Sequence, residues 1–287
     1  MKVLLLGSNG QLGWELQRTC PEDIILTTCD FPKVDFLNKS SIKQCINSSK
    51  PDYIINTAAY TAVDNAEKEK ELAFKINHKA VVEISEQCIR HSISLVHIST
   101  DFIFNGQNFK PYQPEDEAIP ESVYGKSKLA GEQTVLKILG DQSLIIRTAW
   151  LYSSHGNNFV KTMLKQLNEK PELNVIDEQI GTPTWANGLA KAIWTALEKK
   201  IHGIFHWTDA GVASWYDFAV AIQEESLLLE LLDTSIPILP IPAHQYPTPA
   251  KRPFYSLLDK TSFWQTAGIT PSHWRVQLRS MLKELLK

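Results

Sequence analysis

The N-terminal segment constrains the fold more than any other, because a strand, a glycine turn and a helix are expected there in direct succession. Val3–Leu6 is a continuous apolar run, typical of a strand buried on both faces of a parallel sheet. Gly7, Gly10 and Gly13 follow it, and a helical pattern begins at Trp14. Such glycines let the backbone approach a pyrophosphate, and the helix N-terminus offers free N–H groups. The spacing is looser than G-x-G-x-x-G, so a turn without a ligand remains the alternative.

More apolar runs alternate with helical patterns up to about residue 150. They are Ile24–Cys29, Tyr53–Asn56, Leu95–Ser99 and Ser143–Thr148. This alternation is typical of βαβ units with right-handed crossovers, and it predicts an α/β fold with a Rossmann-like, doubly wound parallel sheet. Ligands of such sheets bind at the carboxyl ends of the strands.

The character of the sequence changes after residue 151. Helical patterns then alternate with short strand-like runs, at Phe159–Leu167, 174–176, Ala186–Leu197, 203–206 and Tyr216–Leu229. We expect residues 1–151 to form a nucleotide-binding domain, with parts of residues 175–210 returning to it. Residues 152–287 should mainly form a smaller α+β domain that binds the substrate.

Two features of the second half predict local structure. The proline-rich segment Pro237–Pro253 is expected to be an ordered wrapping loop. Thr270 followed by Pro271 has the pattern of an N-cap and a first helical residue, so the last helix is expected to begin there.

Asp30 closes the second apolar run, at a distance from the glycines that suits cofactor binding. A carboxylate roughly 20 residues beyond such glycines can bond the adenosine 2′-hydroxyl of a dinucleotide. It would favour the cofactor without a 2′-phosphate, whereas the nearby Lys33 could accept a phosphate. A solvated loop aspartate is the alternative.

Small and polar residues follow the third and fourth apolar runs. The small residues of Thr57–Tyr60 would leave room for a ligand across a strand end. Thr100 and Asp101 end the next run and would point into the same crevice, where the Thr100 hydroxyl could donate to a substrate oxygen. A simple strand role for Thr100 and a turn or cap role for Asp101 remain the alternatives.

Tyr124 and Lys128 are four residues apart at the start of a long helical pattern. Residues at this spacing lie one above the other on a helix face. An ammonium beside a phenol would lower the phenol pKa, and a phenol so tuned can exchange a proton with a carbonyl or alcohol oxygen. An exposed tyrosine on a basic helix face is the alternative.

Composition excludes several classes of protein. The chain has 287 residues, 43% of them hydrophobic and 21% charged, and lacks an apolar run long enough for a membrane span. We see no signal peptide, and a net charge of −3 argues against binding nucleic acid through bulk charge. The four cysteines and eight histidines have no metal-like spacing. We expect a cytoplasmic enzyme with reduced thiols, no pairing of cysteines and no metal site.

These residues together resemble the extended short-chain dehydrogenase/reductases, with Gly7, Gly10 and Gly13 at the cofactor turn and Thr100, Tyr124 and Lys128 as the catalytic triad. The resemblance narrows to the dTDP-4-dehydrorhamnose reductase family over nearly the whole chain. The motifs that narrow it are Gly10–Leu16, Ala59–Asp64, Ser99–Asp101, Val123–Glu132, Arg147–Tyr152, Asn157–Phe159, Gly181–Thr184 and Pro247–Pro253.

The resemblance implies an NADPH- or NADH-dependent reduction of a dTDP-linked keto-sugar, in a protein that could be a homodimer. The cofactor-binding residues it implies are Gly7, Asn9, Gly10, Gln11, Leu12, Gly13, Asp30, Asp35, Phe36, Ala58, Ala59, Tyr60, Ser99, Tyr124 and Lys128. The implied substrate-binding residues are Thr100, Asp101, Phe102, Trp150, Asn158 and Arg252. Trp150 could stack on the sugar, and Arg252 with Lys251 could bind the diphosphate.

The chain departs from the family at some positions. Phe102 stands where the family commonly has tyrosine, which puts one sugar contact in doubt. Some relatives hold Mg²⁺ with glutamates in a dimer, and Glu15 and Glu284 match two of those positions. Asn187 stands at the third, so we expect no requirement for Mg²⁺ and no metal-bridged dimer. Solvated helix residues are the alternative for both glutamates.

Rival functions remain open at this point. One is an epimerase or dehydratase of the same superfamily, although Phe102 cannot serve as an acid or base where such dehydratases have glutamate. The other is a non-catalytic regulatory subunit resembling the β subunit of methionine adenosyltransferase. The complete set of Thr100, Tyr124 and Lys128 favours an enzyme.

Overall fold

The computed structural model describes residues 1–286. Its strands are β1 (Lys2–Leu6), β2 (Ile25–Cys29), β3 (Tyr53–Asn56), β4 (Ser94–Thr100), β5 (Ser143–Thr148), β6 (Leu151–Tyr152), β7 (Leu173–Ile176), β8 (Ile180–Gly181), β9 (Thr184–Trp185), β10 (Gly203–His206), β11 (Ala213–Ser214) and β12 (Ile238–Ile241). Its helices are α1 (Gln11–Arg18), α2 (Lys39–Ser49), α3 (Val63–Ala66), α4 (Lys70–Phe74), α5 (Ala80–His91), α6 (Val123–Leu139), α7 (Phe159–Glu169), α8 (Ala186–Glu198), α9 (Trp215–Leu228), α10 (Thr261–Ala267) and α11 (Trp274–Glu284). None of the helices in these residues is long and apolar enough to cross a membrane.

The central sheet has six parallel strands in the order β10-β5-β4-β3-β1-β2. This arrangement confirms the predicted α/β class with a parallel, Rossmann-like sheet. The chain winds outward in both directions from β1, so the carboxyl ends of β1 and β3 border the crevice where such sheets bind ligands.

Helices cover both faces of the sheet, as the continuous apolar runs require. Along β1, Val3 and Leu5 pack with α1 and α8 on one face. Leu4 and Leu6 pack with α2, α5 and α6 on the other. These β1 side chains are at most 1% exposed, and burying each contributes about 1.5–3 kcal/mol to stability. Strand β1 is thereby fixed, and with it the glycine turn that follows.

A third apolar cluster lies outside the sheet and joins α7, α9 and α11 with β7 and β12. β12 runs parallel to β7, with Ile238 opposite Leu173. The prediction of a loop throughout Pro237–Pro253 is therefore wrong for Ile238–Ile241. Pro240 is tolerated in β12 because this is an edge strand.

The last helix begins later than the sequence predicts. Its first residue is Trp274 and its N-cap is His273, whose ring accepts a hydrogen bond from the Arg275 N–H. The backbone before it pairs with Ala210, which donates to the Ser272 carbonyl and accepts from the Trp274 N–H. This pairing holds the chain extended, so the predicted start at Thr270 and Pro271 is wrong.

The four cysteines are free thiols, as expected, but the fold brings two of them together. Cys29 at the end of β2 and Cys45 on α2 have their sulfur atoms 2.7 Å apart. Spacing in sequence does not reveal this contact, because it depends on how α2 packs on the sheet.

Candidate active site

A cavity of about 700 Å³ opens at the carboxyl ends of β1, β3, β4 and β5. The predicted site residues that line it are Gly7, Asn9, Gly10, Gln11, Leu12, Gly13, Asp30, Phe36, Ala58, Ala59, Ser99, Thr100, Asp101, Phe102, Tyr124, Lys128 and Trp150. The glycine turn and the tyrosine–lysine pair, which are far apart in sequence, therefore face one space.

The three glycines of the turn have different environments. Gly7 has φ +81, and a Cβ there would lie 2.5 Å from the Ala58 nitrogen. A Cβ on Gly13 would lie 2.2 Å from the Gly7 carbonyl oxygen. A Cβ on Gly10 would meet only that same oxygen, at 3.5 Å. The fold thus requires glycine at two positions, whereas at Gly10 the missing side chain leaves space beside the turn.

Helix α1 starts directly after the turn and presents its N-terminus to the cavity. Gly10 is its N-cap, and no side chain caps the helix. The first N–H groups of a helix carry partial positive charge and are suited to an anion such as a diphosphate.

Asp30 is held by backbone groups rather than solvated in a loop. Its Oδ2 accepts a hydrogen bond from the Asn9 N–H and its Oδ1 one from the Phe31 N–H, both at 2.8 Å. Asp30 lines the cavity, whereas the exposed Lys33 does not. Asp35, also predicted to bind the cofactor, accepts from the Leu37 N–H and does not line the cavity.

Thr100, Tyr124 and Lys128 are buried where β4 meets α6. Ser122 caps α6 by accepting from the Gly125 N–H at 3.1 Å, which fixes the start of the helix beside the end of β4. The Lys128 ammonium donates to the Ile98 carbonyl oxygen at 2.6 Å.

Burial decides the protonation of this pair. It raises the pKa of Tyr124 to about 12; a hydrogen bond with Thr100 offsets part of the effect and the charge of Asp101 adds to it. Burial also lowers the pKa of Lys128 to about 8, against the attraction of Glu132. The prediction of a Tyr124 pKa lowered towards neutrality is therefore wrong for this arrangement, because burial of the phenol dominates and raises its pKa.

Two neighbours complete the environment of the phenol. Burial raises the pKa of Asp101 to about 6, although its Oδ1 accepts a hydrogen bond from the Thr100 hydroxyl at 3.1 Å. Phe102 presents a ring at 77° to the Tyr124 ring, with centroids 5.6 Å apart. The site therefore places a protonated phenol between a hydroxyl group and an apolar ring.

Trp150 follows β5 with a left-handed backbone, at φ +48. Its indole stacks on Trp215 with centroids 3.6 Å apart and planes 7° apart. Because this stack covers one face of the ring, Trp150 can contact a ligand only through its other surfaces.

The remaining predicted residues do not line the cavity. Arg252 pairs with Asp64 at 2.7 Å and Lys251 with Glu121 at 2.5 Å. Asn158 is the N-cap of α7, and its amide donates to Gln11 Oε1 at 2.9 Å. The Tyr60 hydroxyl donates to Glu69.

The sequence reasoning missed several buried polar groups of the site. Asn77, in a π-helical turn at Lys75–Lys79, donates to the Tyr60 carbonyl and the Ser127 hydroxyl, each at 3.0 Å. Thr148 ends β5 as Thr100 ends β4, so the strand-end rule could have found it. Thr148 lines the cavity, and its hydroxyl is buried without a partner in residues 1–286. The same holds for Ser99, which was already predicted from sequence to bind the cofactor.

Glu15 and Glu284, the possible metal ligands, are already bonded to side chains. Glu15 is fully buried and accepts from Arg18 at 2.9 Å and from Asn187 at 2.8 Å. The same guanidinium donates to Glu284 at 2.5 Å. Glu15 is therefore not a solvated helix residue. Residues 1–286 contain no group of three or more His, Cys, Asp or Glu side chains placed to hold a metal ion.

Comparisons with known proteins agree with the resemblance seen in the motifs. The family described as "RmlD substrate binding domain" matches residues 1–287. The chain is 39% identical to a dTDP-4-dehydrorhamnose reductase of Aggregatibacter actinomycetemcomitans over 98% of each chain. Its fold is similar to a dTDP-4-dehydrorhamnose reductase structure from Clostridium acetobutylicum, with a TM-score of 0.94 and 37% identity over 100% of each chain. It is also similar to one from Bacillus anthracis in complex with NADP, with a TM-score of 0.92 and 33% identity over 99% of each chain.

Proposed function

The chain belongs to the RmlD substrate binding domain family, and from this membership and its reductase relatives we propose that it is a dTDP-4-dehydrorhamnose reductase. It reduces dTDP-4-dehydro-β-L-rhamnose to dTDP-β-L-rhamnose with hydride from NADPH or NADH, as the last step of dTDP-L-rhamnose biosynthesis. The observation that carries the proposal is the single cavity shared by the glycine turn and by Thr100, Tyr124 and Lys128.

The cavity suits a nicotinamide dinucleotide. The space left by the absent side chain of Gly10 adjoins the uncapped N-terminus of α1, where a diphosphate would lie. We assign Asp30 to the adenosine ribose, and Lys128 with Tyr124 to the nicotinamide ribose.

When bound, the reduced nicotinamide supplies the hydride. The Tyr124 hydroxyl gives its proton to the C4 oxygen of the sugar, and the Thr100 hydroxyl holds that oxygen. A pKa of about 12 keeps the phenol protonated at physiological pH, which is the state a proton donor needs. The Lys128 ammonium has donors beyond the one given to Ile98, and it stabilises the phenolate left behind.

We assign Asp101, Phe102 and Trp150 to the sugar pocket because they line the cavity beside Tyr124. Arg252 remains our candidate for the diphosphate of the substrate, since a guanidinium has more donors than its bond to Asp64 uses. The side-chain contacts of Asn158 support a role in holding the wall of the cavity more than a direct contact with the sugar.

We further propose the domain division given above, with residues 1–151 and parts of 175–210 binding NAD(P)H and residues 152–287 mainly binding substrate. It is supported by β10, which completes the six-stranded sheet, and by the separate apolar cluster around α7, α9 and α11. A homodimer and a cytoplasmic location belong to the same proposal, and sedimentation and cell fractionation test them.

The experiment that tests the activity is a count of NADPH consumed per dTDP-4-dehydro-L-rhamnose supplied. A reductase consumes one NADPH for each sugar reduced. An epimerase or dehydratase of this superfamily would return the hydride and leave the NADPH total unchanged, and a regulatory subunit would show no turnover. Either of the last two results would refute the proposed function.

A further inference from the structure

The backbone of Asn9, in the middle of the glycine turn, is fixed on both sides. Its N–H donates to Asp30 Oδ2 at 2.8 Å. Its carbonyl oxygen lies 2.9 Å from Nε2 of His155, so that nitrogen carries the proton and donates. The imidazole also stacks on Trp14 of α1, with centroids 5.3 Å apart and planes 8° apart. His155, which is far from the turn in sequence, thus stabilises the conformation of the turn.

His155 belongs to the segment Ser153–Asn158, which we call the clasp loop. Within it, Gly156 has φ +73 and passes so close to Gln11 that a Cβ there would lie 3.1 Å from the Gln11 Cγ. Asn158 donates to the amide oxygen of the same glutamine. Gly156 and Asn157 line the cavity directly beside the turn. The clasp loop is therefore a wall of the space assigned to the cofactor diphosphate.

The base of the clasp loop is anchored independently of the turn. The Ser153 hydroxyl donates to the buried Glu15 at 2.8 Å, and the Ser154 hydroxyl donates to Glu284 at 2.9 Å. These bonds join the loop to α1 and α11 at two separate points, so the loop should keep its place when the Ser154 bond alone is lost. Removing the His155 contact should leave the loop in place.

An ordered turn matters for an anion held by backbone groups. Several N–H groups must point at the diphosphate together, and a segment rich in glycine loses more conformational freedom than any other when it is ordered. A side chain that fixes one peptide group beforehand reduces the entropy lost on binding.

We propose that His155 is a positioning residue for the cofactor diphosphate, holding the Asn9 carbonyl so that the glycine turn is ordered before the dinucleotide binds. The inference deepens the proposed function and rests on it for the identity of the ligand. The hydrogen bond carries the effect, and the stack on Trp14 places the ring.

Two variants separate the bond from the stack. His155→Phe keeps a ring against Trp14 and removes the donor, whereas His155→Gln supplies a donor without the ring. Ser154→Ala is the matched control, because it removes a hydrogen bond of the clasp loop that does not reach the turn. For each full-length protein, the NADPH dissociation constant is measured by calorimetry. The KM for NADPH and kcat are measured with saturating sugar, and the melting temperature is measured without ligand.

We expect His155→Phe to raise the dissociation constant and the KM for NADPH about tenfold, because about one residue of the turn must then be ordered on binding. Its kcat at saturating NADPH should stay near the wild-type value. His155→Gln should recover most of the affinity, and Ser154→Ala should bind as the wild type does.

Wild-type affinity in His155→Phe would overturn the inference while leaving the proposed function intact. So would an equal loss of affinity in Ser154→Ala, because the loop would then act only as a part of the fold. A failure of His155→Gln to recover affinity would also count against the hydrogen bond. If the wild-type protein bound no NADPH at all, the proposed function itself would fail, and the inference with it.

Discussion

Replacing Gly10 by alanine tests whether the space beside the turn is where the cofactor lies. Gly10 has φ −73 and ψ 169, a conformation that alanine adopts freely. Its Cβ would meet only the Gly7 carbonyl oxygen, at an ordinary 3.5 Å. Alanine is a poorer N-cap than glycine, at a cost of up to about 1 kcal/mol, but it also restricts the unfolded chain by about 0.4–1 kcal/mol. The free energy of unfolding should therefore change by less than about 1 kcal/mol.

The cofactor should be affected far more than the fold. The added methyl group would occupy the position from which the diphosphate approaches the N–H groups of α1. Losing one hydrogen bond to a charged group costs about 1.5–3 kcal/mol, which is roughly a 10- to 100-fold rise in dissociation constant. Calorimetric titration of Gly10→Ala with NADPH and with NADH measures this rise in dissociation constant. The melting temperature without ligand is measured on the same protein.

Gly13→Ala is the contrasting variant. Its Cβ would lie 2.2 Å from the Gly7 carbonyl oxygen and 2.7 Å from the Ser8 Cα, so the backbone itself must move. Such overpacking costs 1–3 kcal/mol or more, so we expect Gly13→Ala to lower the melting temperature. If Gly10→Ala bound both cofactors as tightly as the wild type, the turn would not be the diphosphate site. If it unfolded as readily as Gly13→Ala, the packing argument would be wrong.

Other perturbations test the catalytic groups, the cofactor preference, the metal and the buried charge. Tyr124→Phe should bind NADPH normally but lose on the order of 100-fold or more in kcat, and a near-normal kcat in steady-state assays would exclude Tyr124 as the proton donor. We expect both cofactors to work, with at most a modest preference for NADH. Asp30→Ala should weaken the binding of both cofactors, because the Asn9 N–H loses its acceptor, and should shift the ratio of kcat/KM values towards NADPH. An unchanged ratio would show that Asp30 does not contact the ribose. EDTA should change neither turnover nor sedimentation, since the Arg18 guanidinium already pairs with both Glu15 and Glu284. Lost turnover together with a changed sedimented mass would reveal a bridging metal. Burial raises the pKa of Asp209 from an ordinary 3.8 to about 7, so the folded state binds the proton more tightly and stability should fall as pH rises from about 4 to about 7. Urea denaturation at pH 5 and pH 8 should show this fall reduced in Asp209→Asn, by at most roughly 3 kcal/mol, and an equal fall in both proteins would contradict the assignment.

The sheet was predictable because its strands are continuous apolar runs. β1, β3 and β5 fall within one residue of the predicted runs, since burial on both faces requires an unbroken apolar sequence. The errors lie where pairing between distant segments overrides local preference. β12 forms in a proline-rich segment because β7 provides a partner, and Ala210 holds the chain extended up to the start of α11.

The same distinction separates the predictable part of the site from the rest. Residues at the carboxyl ends of parallel strands meet at one edge of the sheet, so Thr100 and the glycine turn could be placed in one crevice from sequence. The bond between His155 and Asn9 joins residues 146 positions apart and depends on how a loop packs against α1.

The protonation of Tyr124 was beyond local reasoning for a further reason. Spacing in sequence shows that Lys128 lies near the phenol, but the sign of the pKa shift depends on how much water both groups lose. Here burial raises the phenol pKa and lowers the ammonium pKa. In the resting site the phenol therefore holds its proton. The Lys128 ammonium stabilises the phenolate once that proton has been transferred. A reduction needs this order of events, because the alkoxide accepts a proton only as hydride arrives.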